Sequence, residues 1–367
     1  PVAKGMNSQR LSRRTLLQRG SVLAAVAAAG GSVSAGVVLG DGRRSTAPYG
    51  RLRPPDENGL RLPAGFSSRV IARSGDVVAN SDYRWHDQPD GGACFEAEGG
   101  GYIYVSNSEI GDGQGGVGAV RFDAASNVID AYRILDGTNR NCSGGATPWG
   151  TWLSCEEAGD GGQVFECDPA GLAPARRRAA MGSFNHEAVE VIESARALFM
   201  TEDRPDGRLY RFIPESWPGL DRGRLQAASV DQSGAVRWVD VADDRPDRSA
   251  NTSSFNGGEG LASSGGDLFI STKGDRRLWR YDTHIERIEV IHDCIRTPDT
   301  VLDSVDNLTV DPGTGDLFVA EDGATQDLAI VTATSLGALD IAAFIRFEGH
   351  ESSEVTGPAL SQIGRAS

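Results

Sequence analysis

Several residue types are scarce in this sequence, and each scarcity excludes a class of function. The 367 residues include 36 basic and 51 acidic side chains, which gives a net charge of −15. Nucleic acid is therefore disfavoured as a partner, because a phosphate backbone requires a basic surface. Only five histidines are present, which disfavours a histidine-based zinc site. The five cysteines are an odd number, so in an oxidising compartment at least one stays unpaired, metal-bound or reactive.

The motifs of several enzyme classes are also missing. The chain has no Gly-x-Ser-x-Gly, P-loop, His-Glu-x-x-His or EF-hand pattern. Helical periodicity of useful length is absent, and no apolar run after Leu39 is long enough to span a membrane. Glycine, in contrast, is abundant at 47 residues, which favours β structure rich in turns.

The amino terminus has the pattern of a twin-arginine export signal. The pair Arg13-Arg14 precedes two leucines, and a run rich in Ala and Gly continues to Leu39. A membrane anchor is the alternative, but the weak hydrophobicity of this run favours export without a stable anchor. We expect the twin-arginine machinery to export the protein already folded, to the periplasm or the medium. The predicted divisions are an export signal over 1–39, an extended lead-in over 40–65 and a single domain of repeated strands over 66–367.

Short apolar strands recur along the chain at a period of about 48 residues, which is typical of the blades of a β-propeller. Most of them are followed by a second strand with alternating apolar residues. Five such units are visible, and residues 62–80 joined to the carboxy terminus would supply a sixth blade. A β-sandwich is the alternative fold. The repeat centres are Ile103, Trp152, Phe199, Phe269 and Phe318, with an insertion around 217–253.

Side chains that can bind metals occur at two fixed places in this repeat. One set stands before the repeat centres: Asp90, Cys142, Glu187, Glu259 and Asp306. The other set follows the centres: Asn107, Glu109, Glu156, Glu157, Glu202, Asp203, Glu321 and Asp322, with Lys273 in the fourth unit. In an antiparallel pair the start of one strand lies beside the end of the next, so both sets should converge on one mouth of the central channel.

So many carboxylates cannot share a small space without cations or raised pKa values. Oxygen-rich clusters select hard ions such as Ca²⁺. The thiolate of Cys142 adds a softer ligand, which indicates a transition metal such as iron. The sequence therefore predicts a site for several metal ions at the channel mouth.

Several of these stretches resemble the PhoX-type alkaline phosphatases, which are phosphomonoesterases exported by the twin-arginine route. The longest stretch runs from Asn141 to Glu157. Shorter ones are Asn185-His186-Glu187, Thr201-Glu202-Asp203, Gly258-Glu259-Gly260, Asp306-Asn307-Leu308 and Ala320-Glu321-Asp322. The resemblance implies a six-bladed propeller that hydrolyses small phosphoesters at a cluster of Ca²⁺ and Fe³⁺ ions. It also implies that Cys142 binds iron and that metals are bound by Glu157, Glu187, Glu259 and Asp306.

Three features depart from this family. In the first blade, Asn107-Ser108-Glu109 stands where the resemblance implies Asn-His-Glu. Gly257 occupies the position where the resemblance implies a phosphate-binding arginine, which leaves Asn107 and Lys273 as candidate phosphate contacts. The chain ends soon after Pro358, so an incomplete closing blade and weakened activity are expected. The alternatives are a calcium-dependent propeller lactonase or esterase, and a metal-stabilised binding propeller that has lost activity. Cys142 distinguishes the phosphatase from the lactonase, because a calcium-only lactonase has no need of a thiolate.

Overall fold

The chain forms short antiparallel strands joined by tight turns. The computed structural model describes residues 24–26, 48–242, 245–246, 248, 251–297, 301–321, 323, 326–333, 339–350 and 353–361. Its strands are β1 (Ala24–Val26), β2 (Leu60–Arg61), β3 (Ser68–Val70), β4 (Pro89–Glu96), β5 (Tyr102–Ser108), β6 (Gly115–Phe122), β7 (Val128–Thr138), β8 (Asn141–Ala146), β9 (Trp152–Glu156), β10 (Val164–Cys167), β11 (Arg176–Arg177), β12 (His186–Ile192), β13 (Ala197–Glu202), β14 (Leu209–Pro214), β15 (Gly223–Val230), β16 (Val236–Asp240), β17 (Gly258–Ser264), β18 (Asp267–Thr272), β19 (Arg277–Asp282), β20 (Arg287–Asp293), β21 (Leu308–Val310), β22 (Leu317–Ala320), β23 (Asp327–Ala333) and β24 (Leu339–Phe347). Four short 3₁₀ turns lie at Glu98–Gly100, Gly159–Gly161, Ala179–Met181 and Glu193–Ala195. Over these ranges, no helix has the length and apolar character needed to cross a membrane.

The strands form five propeller blades. Blade 1 is β4–β7, blade 2 is β8–β11, blade 3 is β12–β16, blade 4 is β17–β20, and blade 5 is β21–β24 with β2 at its outer edge. The first strands of successive blades contact one another. Together they line an axial cavity of about 380 Å³. The all-β propeller predicted from the repeat is therefore confirmed.

The repeat centres lie in the second strand of each blade, namely β5, β9, β13, β18 and β22. Four of the five side chains are buried because both faces of a blade pack against neighbouring blades, and Phe269 is partly buried; Trp152, Phe199 and Phe318 are each at most 2% exposed. The insertion around 217–253 supplies β16, which gives blade 3 a fifth strand.

The prediction of six blades is wrong for the described residues, which form five. Within residues 62–80, β3 pairs only with β1, and the chain after it hydrogen-bonds to itself. The amide of Gly75 donates to the carbonyl of Trp85, and the amide of Trp85 donates to the carbonyl of Asp76. This loop satisfies its own backbone groups, so it offers no free strand edge on which a sixth blade could be built.

The closing blade is complete, contrary to expectation, because the lead-in supplies its last strand. Leu60 pairs with Phe347 and Arg61 pairs with Arg346. The carboxy-terminal segment 353–361 lies against the first strand of blade 1: Gly357 packs on Gly91, where an added Cβ would come within 2.6 Å of backbone. The same segment lines the axial cavity together with the first strands of the blades.

Candidate metal centre

A shared β-bulge opens the first strand of each of blades 1 to 4. In blade 1, Pro89 pairs with Ser108 but the next pair is Gly92 with Ser106, so β4 contains one extra residue. The same irregularity occurs at the starts of β8, β12 and β17. A bulge changes the direction of a side chain relative to a regular strand. The residues within these bulges include Asp90, Cys142, Glu187 and Glu259.

A second set of side chains lies at the first position after the second strand of these blades. Each residue donates its backbone amide to the carbonyl of the residue that precedes the blade's first strand, at 2.7–3.2 Å. This shared hydrogen bond fixes the second set beside the bulged residues, as the antiparallel argument predicted. Its members are Glu109, Glu157, Asp203 and Lys273.

The two sets form two groups of ligand atoms that share one sulfur. Asp90, Glu109 and Cys142 present atoms that all lie within 4.8 Å of one another, and so do Cys142, Glu157 and Glu187. The Sγ of Cys142 lies 3.5 Å from Oδ2 of Asp90. Such spacing matches donors arranged around cations, with the thiol between two neighbouring positions.

The electrostatics of this site favour cations. Burial, reinforced by neighbouring carboxylates, raises the pKa of Asp90, Glu187 and Glu259 well above the usual range. Burial and an adjacent carboxylate raise the pKa of Glu109 to about 7. Burial also raises the pKa of the Cys142 thiol. Among the described residues, Oε1 of Glu187 is buried without a hydrogen-bond partner. These donors fit metal ions, because a bound cation satisfies such an oxygen and removes the repulsion.

Blade 5 contributes Asp306 to the same mouth. The residue is 3% exposed, and its Oδ1 accepts a hydrogen bond from the side-chain Nδ2 of Asn307 at 2.9 Å. Its charge contributes to the raised pKa values of Asp90, Glu187 and Glu259. Asp322, another predicted ligand in this blade, lies outside the described residues.

Three predicted ligands bind their own blades instead. Glu156 accepts from the amides of Asn139 (2.8 Å) and Gln163 (3.2 Å). Glu202 accepts from the hydroxyl of Tyr210 (2.7 Å) and contacts Arg248. Glu321 accepts from the amide of Asp327 (3.3 Å). Each of these carboxylates holds the turn between the second and third strands, and the structure does not group it with Cys142.

The predicted contact Asn107 supports the backbone around Cys142. Its amide nitrogen donates to the carbonyls of Cys142 (3.0 Å) and Ser143 (2.7 Å). Its amide oxygen accepts from Trp152 (2.9 Å) and Ser154 (2.8 Å). All four hydrogen-bonding positions of this amide are therefore used within the protein.

Two contributors were missed by the sequence analysis. Glu354, from the carboxy-terminal segment, lies close enough to raise the pKa of Asp90 and Glu109. Asn185 donates to Oε1 of Glu157 at 2.9 Å and to the carbonyl of Asp203 at 2.8 Å. Glu354 does not belong to the repeat, so the regular spacing that located the other ligands could not indicate it. Asn185 stands directly before His186-Glu187, within a stretch already singled out, and that was the available signal.

Comparison with known proteins agrees with this geometry. The sequence profile of the family described as alkaline phosphatase PhoX matches residues 115–163 and 158–267, which contain Cys142, Glu157, Glu187 and Glu259. The PhoX-type resemblance is confirmed. The chain is also similar in fold to Pseudomonas fluorescens PhoX in complex with vanadate, with a TM-score of 0.65 and 16% identity over 80% of this chain and 88% of that chain.

Other similar structures add no further argument. One is XC5397 from Xanthomonas campestris, described as a gluconolactonase, with a TM-score of 0.45 and 18% identity over 81% of this chain and 89% of that chain. No curated protein sequence matches the chain. The chain is thus a β-propeller that resembles the PhoX phosphatases in part of its sequence, and Asp90, Glu109, Cys142, Glu157 and Glu187 lie together at one mouth of its channel.

Proposed function

We propose that this protein is a metal-dependent phosphomonoesterase whose active centre is the channel mouth around Cys142. The observation that carries the proposal is the pair of ligand groups that share the Cys142 sulfur. A structural cysteine would pack among apolar side chains, whereas this one stands among four carboxylates. The family profile, which covers most of these residues, supports the same activity.

We expect the cations to occupy two parts of the mouth, according to the chemistry of the donors. Fe³⁺ is expected beside the Cys142 thiolate, with carboxylates from blades 1 to 3, and Ca²⁺ beside oxygen donors such as Asp306. When bound, such cations neutralise the oxygens of a phosphoester and stabilise the charge of the transition state. The residues of this chain hold the donors in place: Asn107 fixes the Cys142 backbone, and Asn185 orients Glu157.

Phosphate recognition depends on those cations, because neither predicted contact is free to replace them. The amide of Asn107 is fully hydrogen-bonded within the protein. Lys273 forms ion pairs with two carboxylates at the mouth. Gly257 supplies no side chain. We therefore expect small phosphomonoesters as substrates, because their phosphate must contact the cations at the mouth.

The proposed location is the periplasm or the medium, after export by the twin-arginine machinery. A thiolate–carboxylate iron site assembles only in a folded chain, and this route transports folded proteins. The twin arginine itself lies outside the described residues.

An assay with two substrates tests the proposal. Purified protein supplied with Ca²⁺ and Fe³⁺ should hydrolyse an aryl phosphate, and Cys142→Ser should abolish that activity while Cys294→Ser, a buried cysteine away from the mouth, retains it. Hydrolysis of a lactone with Ca²⁺ alone, without phosphatase activity, would favour the lactonase alternative. Metal binding without either activity would favour the binding propeller.

A further inference from the structure

Lys273 occupies a position where the other blades provide an acid. It is the first residue after the second strand of blade 4, and its backbone amide donates to the carbonyl of Gly257 at 2.7 Å. Glu109, Glu157 and Asp203 make the equivalent hydrogen bond in blades 1 to 3. Blade 4 thus presents an ammonium group at the position where blades 1 to 3 present a carboxylate.

The ammonium group joins carboxylates from two blades. Its Nζ lies 2.9 Å from Oδ2 of Asp203 in blade 3 and 2.7 Å from Oε1 of Glu259 in blade 4. Asp203 is 15% exposed and Glu259 is 2% exposed, so neither carboxylate is well solvated. A cation between these two carboxylates offsets their mutual repulsion and part of their desolvation cost.

Gly257 makes room for the Lys273 side chain. Gln88 and Arg140, at the equivalent place in blades 1 and 2, also have a left-handed backbone, with φ of 46° each, so this conformation does not by itself require glycine. At Gly257, with φ of 65°, an added Cβ would lie 3.1 Å from Cγ of Lys273 and 3.0 Å from the amide of Gly274. Glycine at 257 therefore leaves open the space beside which the methylene chain of Lys273 passes.

We propose that Lys273 takes the place of a metal ion between Asp203 and Glu259. Two carboxylates facing one small space supply part of the oxygen shell that Ca²⁺ requires, and the tethered ammonium group fills that space without a bound ion. The inference rests on the metal centre of the proposed function. It predicts that this centre holds one cation fewer than its acidic residues could support.

Counting metal ions in variants tests the proposal. Lys273→Met keeps the length of the side chain but removes its charge, which frees both carboxylates to bind Ca²⁺. Arg280→Met, in the same blade, removes an equal charge from a partly exposed residue that pairs with Asp267. Each purified protein is saturated with Ca²⁺ and Fe³⁺, desalted and analysed for both elements. The expected result is one additional calcium per chain in Lys273→Met and the wild-type count in Arg280→Met.

Thermal unfolding gives a second readout that does not depend on activity. Without calcium, Lys273→Met should melt below the wild type, because two carboxylates lose their partner. With calcium, the increase in melting temperature should be larger in Lys273→Met than in the wild type or in Lys273→Arg.

The failures of the two proposals are distinguishable. Equal calcium counts and equal calcium-induced shifts in the wild type and Lys273→Met would overturn the role of Lys273 while leaving the metal centre in place. A wild type and variants that all bind no metal would overturn both the metal centre and the role of Lys273.

Discussion

At the scale of single residues, the site depends on how Cys142 is held. The bulge at the start of β8 places its sulfur between two groups of carboxylates, and Asn107 binds the Cys142 and Ser143 carbonyls. Burial raises the pKa of the thiol, so a metal ion must compete with a proton for the sulfur. Once deprotonated, the sulfur can contact a cation in either group.

Replacing this sulfur should change metal selectivity more than total metal binding. In Cys142→Ser we expect iron content to fall by about tenfold or more, since a hydroxyl is a poor substitute for a thiolate. Calcium content should decrease only modestly, because the carboxylates remain. Elemental analysis beside Cys294→Ser measures both effects, and unchanged iron in Cys142→Ser would refute the assignment.

At the scale of elements, the blades meet through glycines in their first strands. Gly145 of β8 lies directly against β12, where a Cβ would come within 1.9 Å of the Val189 carbonyl oxygen. Such contacts bring the first strands close enough for their bulges to share one mouth. They also explain part of the high glycine content.

Adding one methyl group at this contact should separate the blades. Gly145→Ala is expected to lower the free energy of unfolding by about 3 kcal/mol or more, because a rigid backbone atom cannot move aside. Gly161→Ala is the matched control, since its Cβ would meet nothing within 4 Å. Urea unfolding compares them, and equal midpoints would contradict the close approach.

The repeat could be recognised from the sequence because its strands, and the ligand residues beside them, recur at a nearly constant spacing. It predicted the second strands of all five blades and placed Cys142, Glu157 and Glu187 together. It did not separate Glu156 from Glu157, although neighbouring residues in a strand point to opposite faces, so alternation could have done so. The bulges were invisible because one extra residue leaves the spacing almost unchanged. Residues 62–80 resembled a blade because their apolar residues are spaced like strands, yet their turns close on themselves.

At the scale of the whole molecule, the ring is closed by its amino-terminal part. β2 completes blade 5, and Leu60 packs at 4% exposure in a core with Phe344 and Phe318. Strands distant in sequence are thereby joined in one sheet, which ties the two ends of the propeller together.

Weakening this closure should destabilise the propeller. Leu60→Ala is expected to reduce the free energy of unfolding by about 2–4 kcal/mol through the cavity it leaves. Val70→Ala removes a similar side chain that is 42% exposed and should have an effect of about 0.5 kcal/mol or less. Differential scanning calorimetry of both variants provides the test, and a Leu60→Ala protein as stable as the wild type would argue against closure by β2.

The crowded carboxylates make the stability of the metal-free protein depend on pH. Their pKa values are raised in the folded state, so the folded protein binds more protons than the unfolded chain, and stability falls as pH rises through this interval. For Glu109 the interval runs from its ordinary 4.5 to about 7. We expect the urea midpoint in the presence of a chelator to decrease over this range. Saturating Ca²⁺ should abolish much of the decrease, and parallel curves with and without Ca²⁺ would contradict a cation site.

X-ray absorption at the iron edge tests the central claim most directly, because it reports which atoms bind the metal. In the iron-loaded protein we expect one sulfur neighbour together with oxygen neighbours. The sulfur contribution should vanish in Cys142→Ser and persist in Cys294→Ser. A spectrum of the wild type that contains only oxygen and nitrogen neighbours would contradict a thiolate–carboxylate centre at the channel mouth.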